Sequence, residues 1–228
     1  MQSPRLINAA DKQTPIIVDG PTQLSSKMGA ASNTTNASSK LTQNVNQIKF
    51  PMSSQDASRV LAPYLFEYEK KEIFEFDTIY YFNVQERIKN NGNSSALPGG
   101  STYGKINDAT NNGFDTDQQE YIVRYNEHLG YRYEVVKKLG KGSFGIVLRV
   151  FDHKQKEFVA LKILKNKKRL YKQGLVESKL IETLNKNDPE DKKNIVKQLD
   201  HFVFRKHLIL TFELLSVNLY DFIKMNNF

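Results

Sequence analysis

The sequence predicts an α+β fold, in which a five-stranded antiparallel sheet is combined with one main helix. Apolar and polar residues alternate with a period of two in three nearby segments, 133–139, 146–151 and 158–164, as they do in half-buried strands. Helical periodicity follows at 169–185, and two more strands are predicted at 195–204 and 208–213. Hydrophobic residues make up 39% of the chain, including 14 Phe and 11 Tyr, which is enough for a core.

The predicted helix is amphipathic. Its spacing places four apolar residues on one stripe, Val176, Leu180, Ile181 and Leu184. Asn187, Asp188 and Pro189 follow as a helix-breaking sequence. Gly174 weakens the front of this helix by roughly 1 kcal/mol relative to alanine. A further short helix is predicted to begin near Leu219.

The composition excludes several classes of protein. The 228 residues carry 33 Lys and Arg against 25 Asp and Glu, for a net charge of +8, and include no cysteine. The chain therefore has no disulfides, thiolate metal sites or cysteine nucleophiles. Its start lacks the apolar stretch of a secretory signal, and no later run approaches membrane-spanning length. We expect an intracellular protein, cytoplasmic or nuclear, without a membrane partner.

Charge and aromatic content divide the chain into three segments. Residues 1–59 are rich in Ser, Asn, Thr and Gln and contain one aromatic residue, Phe50, so we expect a disordered tail. Residues 60–130 carry 6 basic and 11 acidic residues, whereas residues 131–228 carry 21 basic and 11 acidic residues. The last segment is therefore the predicted main domain, and it holds the basic excess.

The middle segment, residues 60–130, is dense in aromatic residues but poor in aliphatic ones. Such a segment rarely folds alone, and we expect it to pack on a neighbour. The sequence predicts a short helix at 61–71 and a strand at 77–84. A loop rich in Gly, Asn and Ser follows at 90–113, and then an acidic turn at 115–120.

The strongest local signal is a G-x-G-x-x-G-x-V pattern. It comprises Leu139, Gly140, Lys141, Gly142, Ser143, Phe144, Gly145, Ile146 and Val147. Glycine permits positive φ and lets main-chain N–H groups approach phosphate oxygens without a Cβ in the way. In a dinucleotide-binding fold the last glycine opens a helix, whereas here a strand continues, so that fold is excluded. A glycine hairpin turn without a ligand is the alternative at this point.

A lysine and a glutamate add to this signal. Lys162 follows the small Ala160 in an apolar strand that is expected to lie beside the glycine hairpin. Its ammonium group could reach the α- and β-phosphates of a nucleotide, while Ala160 leaves room for a flat base. Glu177, in the predicted helix, can supply the anionic partner that holds the ammonium group in position. A solvated lysine and a solvated glutamate are the alternatives when each residue is taken alone.

Together these features match the protein-kinase signature set, and residues 131–228 resemble the amino-terminal lobe of a eukaryotic protein kinase. Residues 131–135 and 211–220 resemble the dual-specificity tyrosine-regulated kinase (DYRK) family more closely. The acidic segment 114–118 resembles the DYRK-homology box. Residues 60–105 resemble the accessory region that the second class of this family uses for tyrosine autophosphorylation.

The resemblance implies roles for individual residues. Gly140 to Val147 would cover the triphosphate of ATP, and Lys162 paired with Glu177 would orient it. Phe212 would be the gatekeeper behind the adenine, whose edge would bind the backbone of Glu213 and Leu215. Two residues would lie near the ribose, Asn218 and Asp221. The cofactors implied are ATP and Mg²⁺, and the other partners are protein substrates.

The catalytic loop H-R-D (H-C-D in this family), D-F-G and A-P-E are not found in the sequence. The catalytic aspartate and the Mg²⁺ ligands are therefore expected to be missing, and we expect this chain to be truncated and inactive alone. The complete protein would transfer the ATP γ-phosphate to Ser and Thr, with tyrosine autophosphorylation. The alternative is a catalytically inactive lobe that acts as a nucleotide- or protein-binding module.

Two remaining features suggest no further site. The four histidines lack the spacing of metal ligands, so we predict surface or strand-edge residues and no metal site; they are His128, His153, His201 and His207. Lys165 to Arg169 could form a nucleic-acid or nuclear-localisation patch. A solvated loop before the helix is favoured instead, so no nucleic-acid partner is expected.

Overall fold

The computed structural model describes residues 48–92 and 108–226. Within these residues, six strands form an antiparallel sheet in the order β3-β4-β5-β6-β8-β7. They are β3 (His128–Leu129), β4 (Tyr133–Lys141), β5 (Gly145–Asp152), β6 (Glu157–Leu164), β7 (Gln198–Phe204) and β8 (His207–Glu213). The predicted α+β class is confirmed, and β3 is an addition to the five strands expected.

The remaining elements surround this sheet. A two-stranded sheet pairs β1 (Met52–Ser53) with β2 (Thr78–Ile79). The α-helices are α1 (Ser54–Val60), α2 (Glu69–Glu72), α3 (Val84–Gly92), α4 (Lys168–Lys186) and α5 (Leu219–Met225), and 3-10 turns lie at Ile73–Glu75 and Asp108–Gly113. No helix in the described ranges is long and apolar enough to cross a membrane.

The larger apolar cluster of the core includes one face of the main sheet and continues into the segment before it. A smaller buried cluster contains Leu164, Leu208 and Leu210. Buried and half-buried residues alternate along β5, as the period-two pattern predicts. The fully buried Leu148 and Leu161 of the sheet belong to the same apolar cluster as Leu61, Ile73 and Ile79. The aromatic-rich middle segment therefore packs on the main domain.

The helix α4 packs differently from its predicted stripe. Its buried residues are Leu170, Gly174 and Ser178, whereas Val176, Leu180 and Leu184 are 62%, 60% and 45% exposed. A Cβ on Gly174 would collide with Leu164 and lie 2.8 Å from a methyl group of Leu208. The helix thus approaches the sheet through its small residues, and three of the four residues of the predicted apolar stripe are exposed.

Several predictions before the main sheet were also wrong. Residues 48–59 of the predicted disordered tail contain β1 and most of α1, and Ala57 is fully buried. Residues 1–47 lie outside the described part of the chain. The helix predicted at 61–71 is replaced by turns followed by α2, and the strand predicted at 77–84 is limited to Thr78–Ile79. Aromatic packing and loop contacts stabilise this region in place of long regular elements.

A buried ionic cluster joins this segment to the turn between β7 and β8. The Arg205 guanidinium group, 2% exposed, contacts Glu69 at 3.1 Å, Glu72 at 2.9 Å and Glu127 at 2.9 Å. Glu69 is fully buried and also receives a hydrogen bond from Arg87. Burial opposes ionisation of Glu69, but the hydrogen bond from His128 and the two arginines outweigh it and hold its pKa at about 2.

The acidic turn is fixed by a second network. Asp115 accepts hydrogen bonds from Asn111 and Asn166 at 2.9 Å each and lies 2.7 Å from Nε2 of the buried His207. The other ring nitrogen of His207 lies 2.6 Å from the Leu164 carbonyl oxygen. Burial opposes ionisation of Asp115, yet these hydrogen bonds lower its pKa. The turn is therefore part of the folded domain.

Candidate functional site

A cavity of about 320 Å³ lies between the sheet, helix α4 and the segment after β8. Its lining residues come from β4, β6, α4, β8 and the adjoining loops: Leu139, Ala160, Lys162, Glu177, Ile181, Val196, Phe212, Glu213, Leu214 and Leu215. Seven of these were predicted as site residues from the sequence. Ile181 was predicted only as part of the apolar stripe, and Val196 and Leu214 were missed. Ile181 follows Glu177 by one helical turn, so its place in the site could have been found from the sequence.

The polar centre of the cavity is an ion pair between β6 and α4. The Lys162 ammonium group donates a hydrogen bond to Glu177 Oε1 at 2.6 Å. Lys162 is positioned by its register, in which it pairs with Val147 on β5 and with Leu210 on β8. Both side chains are partly exposed, so the pair is accessible from the cavity. It presents an oriented positive charge beside the glycine hairpin.

The three glycines of the hairpin differ in whether their surroundings would admit a side chain. At Gly140 and Gly142 an added Cβ would meet nothing within 4 Å, whereas at Gly145 it would collide with the carbonyl oxygen of Ile163. The Gly142 N–H group donates to the Gly145 carbonyl oxygen at 2.9 Å, which closes the turn. None of the three has positive φ, so the freedom of glycine to adopt that conformation is not used at these positions. Gly145 is required for close packing on β6, and the other two leave open space.

The apolar end of the cavity is formed where β6 meets β8. Ala160 pairs with Phe212 across the sheet, and both line the cavity. The Glu213 N–H group donates to the Lys197 carbonyl oxygen at 3.0 Å. Of the two backbone groups of Glu213, the carbonyl is therefore the one that could bind a ligand edge.

Asn218 and Asp221 do not line the cavity. Asn218 caps α5: its side-chain oxygen accepts a hydrogen bond from the Asp221 N–H group at 2.8 Å, and its amide donates to the Asp221 carboxylate at 2.8 Å. The structure thus brings these two residues into contact with each other, but it does not bring them into the cavity.

The remaining hairpin residues lie around the edge of the site. Ile146 is buried, while Phe144 is 45% exposed. The Phe144 carbonyl oxygen accepts a hydrogen bond from the Lys165 N–H group at 3.0 Å. Lys141 lies 2.7 Å from Glu120 Oε2 in the acidic turn, a contact that the sequence analysis missed. Ser143 is exposed at the tip.

Two sequence interpretations outside the site can be compared with the structure. Of the predicted surface or strand-edge histidines, His128 lies on the edge strand β3 and His207 begins β8, but both are buried, at 2% and 0% exposed. Lys165 is 14% exposed and pairs with Glu120 at 2.9 Å, so the basic run does not begin in solvent. Across residues 48–92 and 108–226, no group of three or more His, Asp or Glu could hold a metal ion.

Comparisons with known proteins give matches to protein kinases. Residues 133–228 match the family model described as protein kinase domain. Dual specificity tyrosine-phosphorylation-regulated kinase 3 of Homo sapiens is 38% identical over 178 residues, which cover 78% of this chain and 28% of that protein. Probable serine/threonine-protein kinase dyrk2 of Dictyostelium discoideum is 46% identical over 161 residues, which cover 70% of this chain and 16% of that protein.

A third relative gives a similar match. Dual specificity tyrosine-phosphorylation-regulated kinase mbk-2 of Caenorhabditis elegans is 37% identical over 174 residues, which cover 76% of this chain and 20% of that protein. The similarity therefore extends beyond the matched domain into the aromatic-rich middle segment. The chain spans only 16% to 29% of the length of the curated relatives it matches.

Proposed function

This chain belongs to the DYRK family of protein kinases, and we propose from that membership that it carries the ATP-binding lobe of a dual-specificity kinase. The complete protein would transfer the ATP γ-phosphate to Ser and Thr of protein substrates and would autophosphorylate on Tyr. The Lys162–Glu177 pair, 2.6 Å apart in the cavity beside the glycine hairpin, is the observation that carries the proposal.

The residues of the cavity fit a nucleotide with a charged and a flat end. Lys162 would hold phosphate oxygens, and Glu177 would keep its ammonium group from turning away. Gly140 and Gly142 leave open space in which a Cβ would otherwise stand, so a phosphate group could come close to the hairpin backbone there. ATP supplies the transferred phosphoryl group when bound, and Mg²⁺ offsets its charge.

The apolar end would bind the adenine. Ala160 is small, and Phe212 closes the cavity beside it. The Glu213 carbonyl group and the Leu215 N–H group would bind the edge of the base. Asn218 and Asp221, which cap α5, would contact the ribose only if α5 shifted or the ribose extended beyond the cavity.

Nucleotide binding by the 228-residue chain tests the ATP-binding role. We expect Lys162→Met to weaken the binding of a fluorescent ATP analogue by about 10- to 100-fold, because a charge-assisted hydrogen bond is removed. Lys179→Met is the matched control, since Lys179 lies on α4 with its side chain 73% exposed. Equal affinity of the wild type and Lys162→Met would contradict the role of Lys162.

Phosphoryl transfer is tested separately, with the longest native product of the gene. We expect Lys162→Met to abolish its transfer of phosphate to a Ser/Thr peptide and its own tyrosine phosphorylation. The 228-residue chain alone is expected to be inactive, because we infer that the catalytic aspartate and the Mg²⁺ ligands belong to a part of the protein outside these 228 residues. Wild-type turnover in the Lys162→Met protein would refute the kinase assignment of this lysine.

A protein-binding role is the second candidate. Apolar side chains are exposed after β8, where Leu219 and Phe222 are 72% and 55% exposed. If the native product were only 26.2 kDa, bound nucleotide and transferred no phosphate, this lobe would act as a binding module. The mass of the native product, measured with an antibody against residues 60–130, separates the two candidates.

A further inference from the structure

Glu120 links the acidic turn to the glycine hairpin. Its two carboxylate oxygens lie 2.7 Å from the Lys141 ammonium group and 2.9 Å from that of Lys165. Lys141 stands between Gly140 and Gly142, and Lys165 follows the strand that carries Lys162. One side chain, 7% exposed, therefore bridges the two strands that border the candidate phosphate site.

The position of Glu120 is fixed by hydrogen bonds of the backbone around it. Its N–H group donates to the Thr116 hydroxyl group at 3.2 Å, and its carbonyl oxygen accepts from the Thr116 N–H group at 2.9 Å. The neighbouring Gln119 carbonyl oxygen accepts from the Asn166 N–H group at 2.8 Å. Asp115, at the start of the same turn, is held by the buried His207. The carboxylate of Glu120 thus extends from a rigid base.

The hairpin has few other anchors near its tip. The Lys165 N–H group donates to the Phe144 carbonyl oxygen at 3.0 Å, and Gly145 packs against Ile163. Both of these contacts fix the β5 side of the hairpin. On the β4 side, Lys141 is 48% exposed, and its ion pair with Glu120 reaches the acidic turn. The two carboxylate contacts also lower the pKa of Glu120, so it is ionised at neutral pH.

We propose that Glu120 is a positioning residue that holds the glycine hairpin over the nucleotide cavity by pairing with Lys141. The inference rests on the proposed ATP-binding role for its functional consequence, although the restraint on the hairpin is independent of any nucleotide. It assigns the acidic turn a task in phosphate binding, in addition to its packing in the fold. Lys165 shares the carboxylate and ties its other oxygen to the end of β6.

Hydrogen exchange of the nucleotide-free 228-residue chain tests the restraint directly. The reporting groups are the Gly142 N–H group, which bonds within the turn, and the Lys165 N–H group, which bonds to Phe144. In Glu120→Gln we expect exchange at Gly142 to accelerate about fivefold. This factor corresponds to the free energy that a partly buried ion pair contributes. Lys141→Gln should have the same effect, and the double variant should add nothing further.

Conservative and distant variants separate positioning from general destabilisation. Lys141→Arg keeps the charge and is expected to retain slow exchange at Gly142. Glu134→Gln removes an acid at the other end of β4, where it pairs with His153 at 2.8 Å, and should leave exchange in the hairpin unchanged. Acceleration by Glu134→Gln equal to that by Glu120→Gln would overturn the proposal, as would unchanged exchange in Glu120→Gln.

Binding of the ATP analogue gives the functional readout. Glu120→Gln and Lys141→Gln should each raise its dissociation constant about threefold to fivefold, again without further loss in the double variant. A loss with Lys141→Gln that is independent of Glu120 would instead make Lys141 a direct phosphate ligand and would overturn the positioning role. If the wild type binds no nucleotide, the proposed function fails, while the exchange rates still decide whether Glu120 restrains the hairpin.

Discussion

At the scale of single residues, the glycine hairpin shows that one motif contains two kinds of glycine. Gly145 is confined by the carbonyl oxygen of Ile163, whereas Gly142 has no neighbour where a Cβ would lie. The pattern G-x-G-x-x-G does not distinguish the two positions, because a sequence motif gives the residue type but not the structural constraint that requires it.

Alanine substitutions distinguish these reasons. Gly145→Ala should lower the free energy of unfolding by about 1–3 kcal/mol, because the added methyl group must displace the backbone of β6. Gly142→Ala, the matched control, should change it by no more than about 0.5 kcal/mol. Urea unfolding followed by circular dichroism measures both values. A Gly145→Ala protein as stable as wild type would refute the collision with Ile163.

The ion pair of the site could be predicted from residue patterns, but the network around it could not. Lys162 and Glu177 belong to elements with clear periodicity and lie 15 residues apart. Asp115 and His207 are 92 residues apart, and no local pattern in the sequence links them. Glu120 likewise looked like one more acid in a polar turn. Pairings of this kind depend on the tertiary fold, which brings distant turns together.

At the scale of elements, the strands β4, β5 and β6 were predicted well because their alternation has a strict period of two. Helix α4 was predicted at nearly its observed length, but its buried face was not. Gly174 and Ser178 face the sheet, and a hydrophobicity pattern gives small residues little weight. The prediction therefore relied on large apolar residues such as Val176 and Leu180, although these are exposed.

Truncation of leucines on α4 tests which face is buried. Leu170→Ala should cost about 2–5 kcal/mol of unfolding free energy, because Leu170 is 6% exposed and its removal leaves a cavity. Leu180→Ala should cost less than about 1 kcal/mol, since Leu180 is 60% exposed and both residue types favour helices. The two values come from the same urea titration. A larger loss of unfolding free energy in Leu180→Ala than in Leu170→Ala would contradict the burial of Leu170 and would indicate that the apolar stripe is the buried face.

At the scale of the whole molecule, the segment before the main sheet and the sheet itself share one core and one buried ionic cluster. The aromatic content of that segment predicted that it packs on a neighbour. Its particular elements could not be predicted, because α2 and β2 have four and two residues, too few for any periodicity. Arg205 gave no signal in the sequence, although it contacts three glutamates.

Acid should destabilise the molecule through this cluster. The pKa of Glu69 is about 2 in the folded chain, against 4.5 as its ordinary value, so below about pH 5 the unfolded chain takes up a proton that the folded chain does not. The stability that Glu69 contributes is therefore present above about pH 4.5 and is lost as the pH falls towards 2. The lowered pKa values of Asp115 and Asp152 act in the same direction.

Urea unfolding at pH 7, 5, 4 and 3 measures this dependence. In Glu69→Gln the unfolding free energy should be lower at pH 7, because the Arg205 and Arg87 charges lose a buried partner. It should also fall less steeply between pH 5 and 3 than in wild type. Glu67→Gln is the control, since that residue pairs with Lys70 with its side chain 75% exposed. An equal slope in wild type and Glu69→Gln would contradict the role of Glu69.

The cluster around Arg205 also joins residues that are synthesised at widely separated times. Glu72 and Arg205 are 133 residues apart, so at about 5–20 residues per second the ribosome reaches the arginine roughly 7 to 27 seconds after the glutamate. During that interval Glu69, Glu72 and the aromatic residues beside them have emerged without the surface that later buries them. These groups therefore stay without their folded partners until the turn between β7 and β8 has left the exit tunnel.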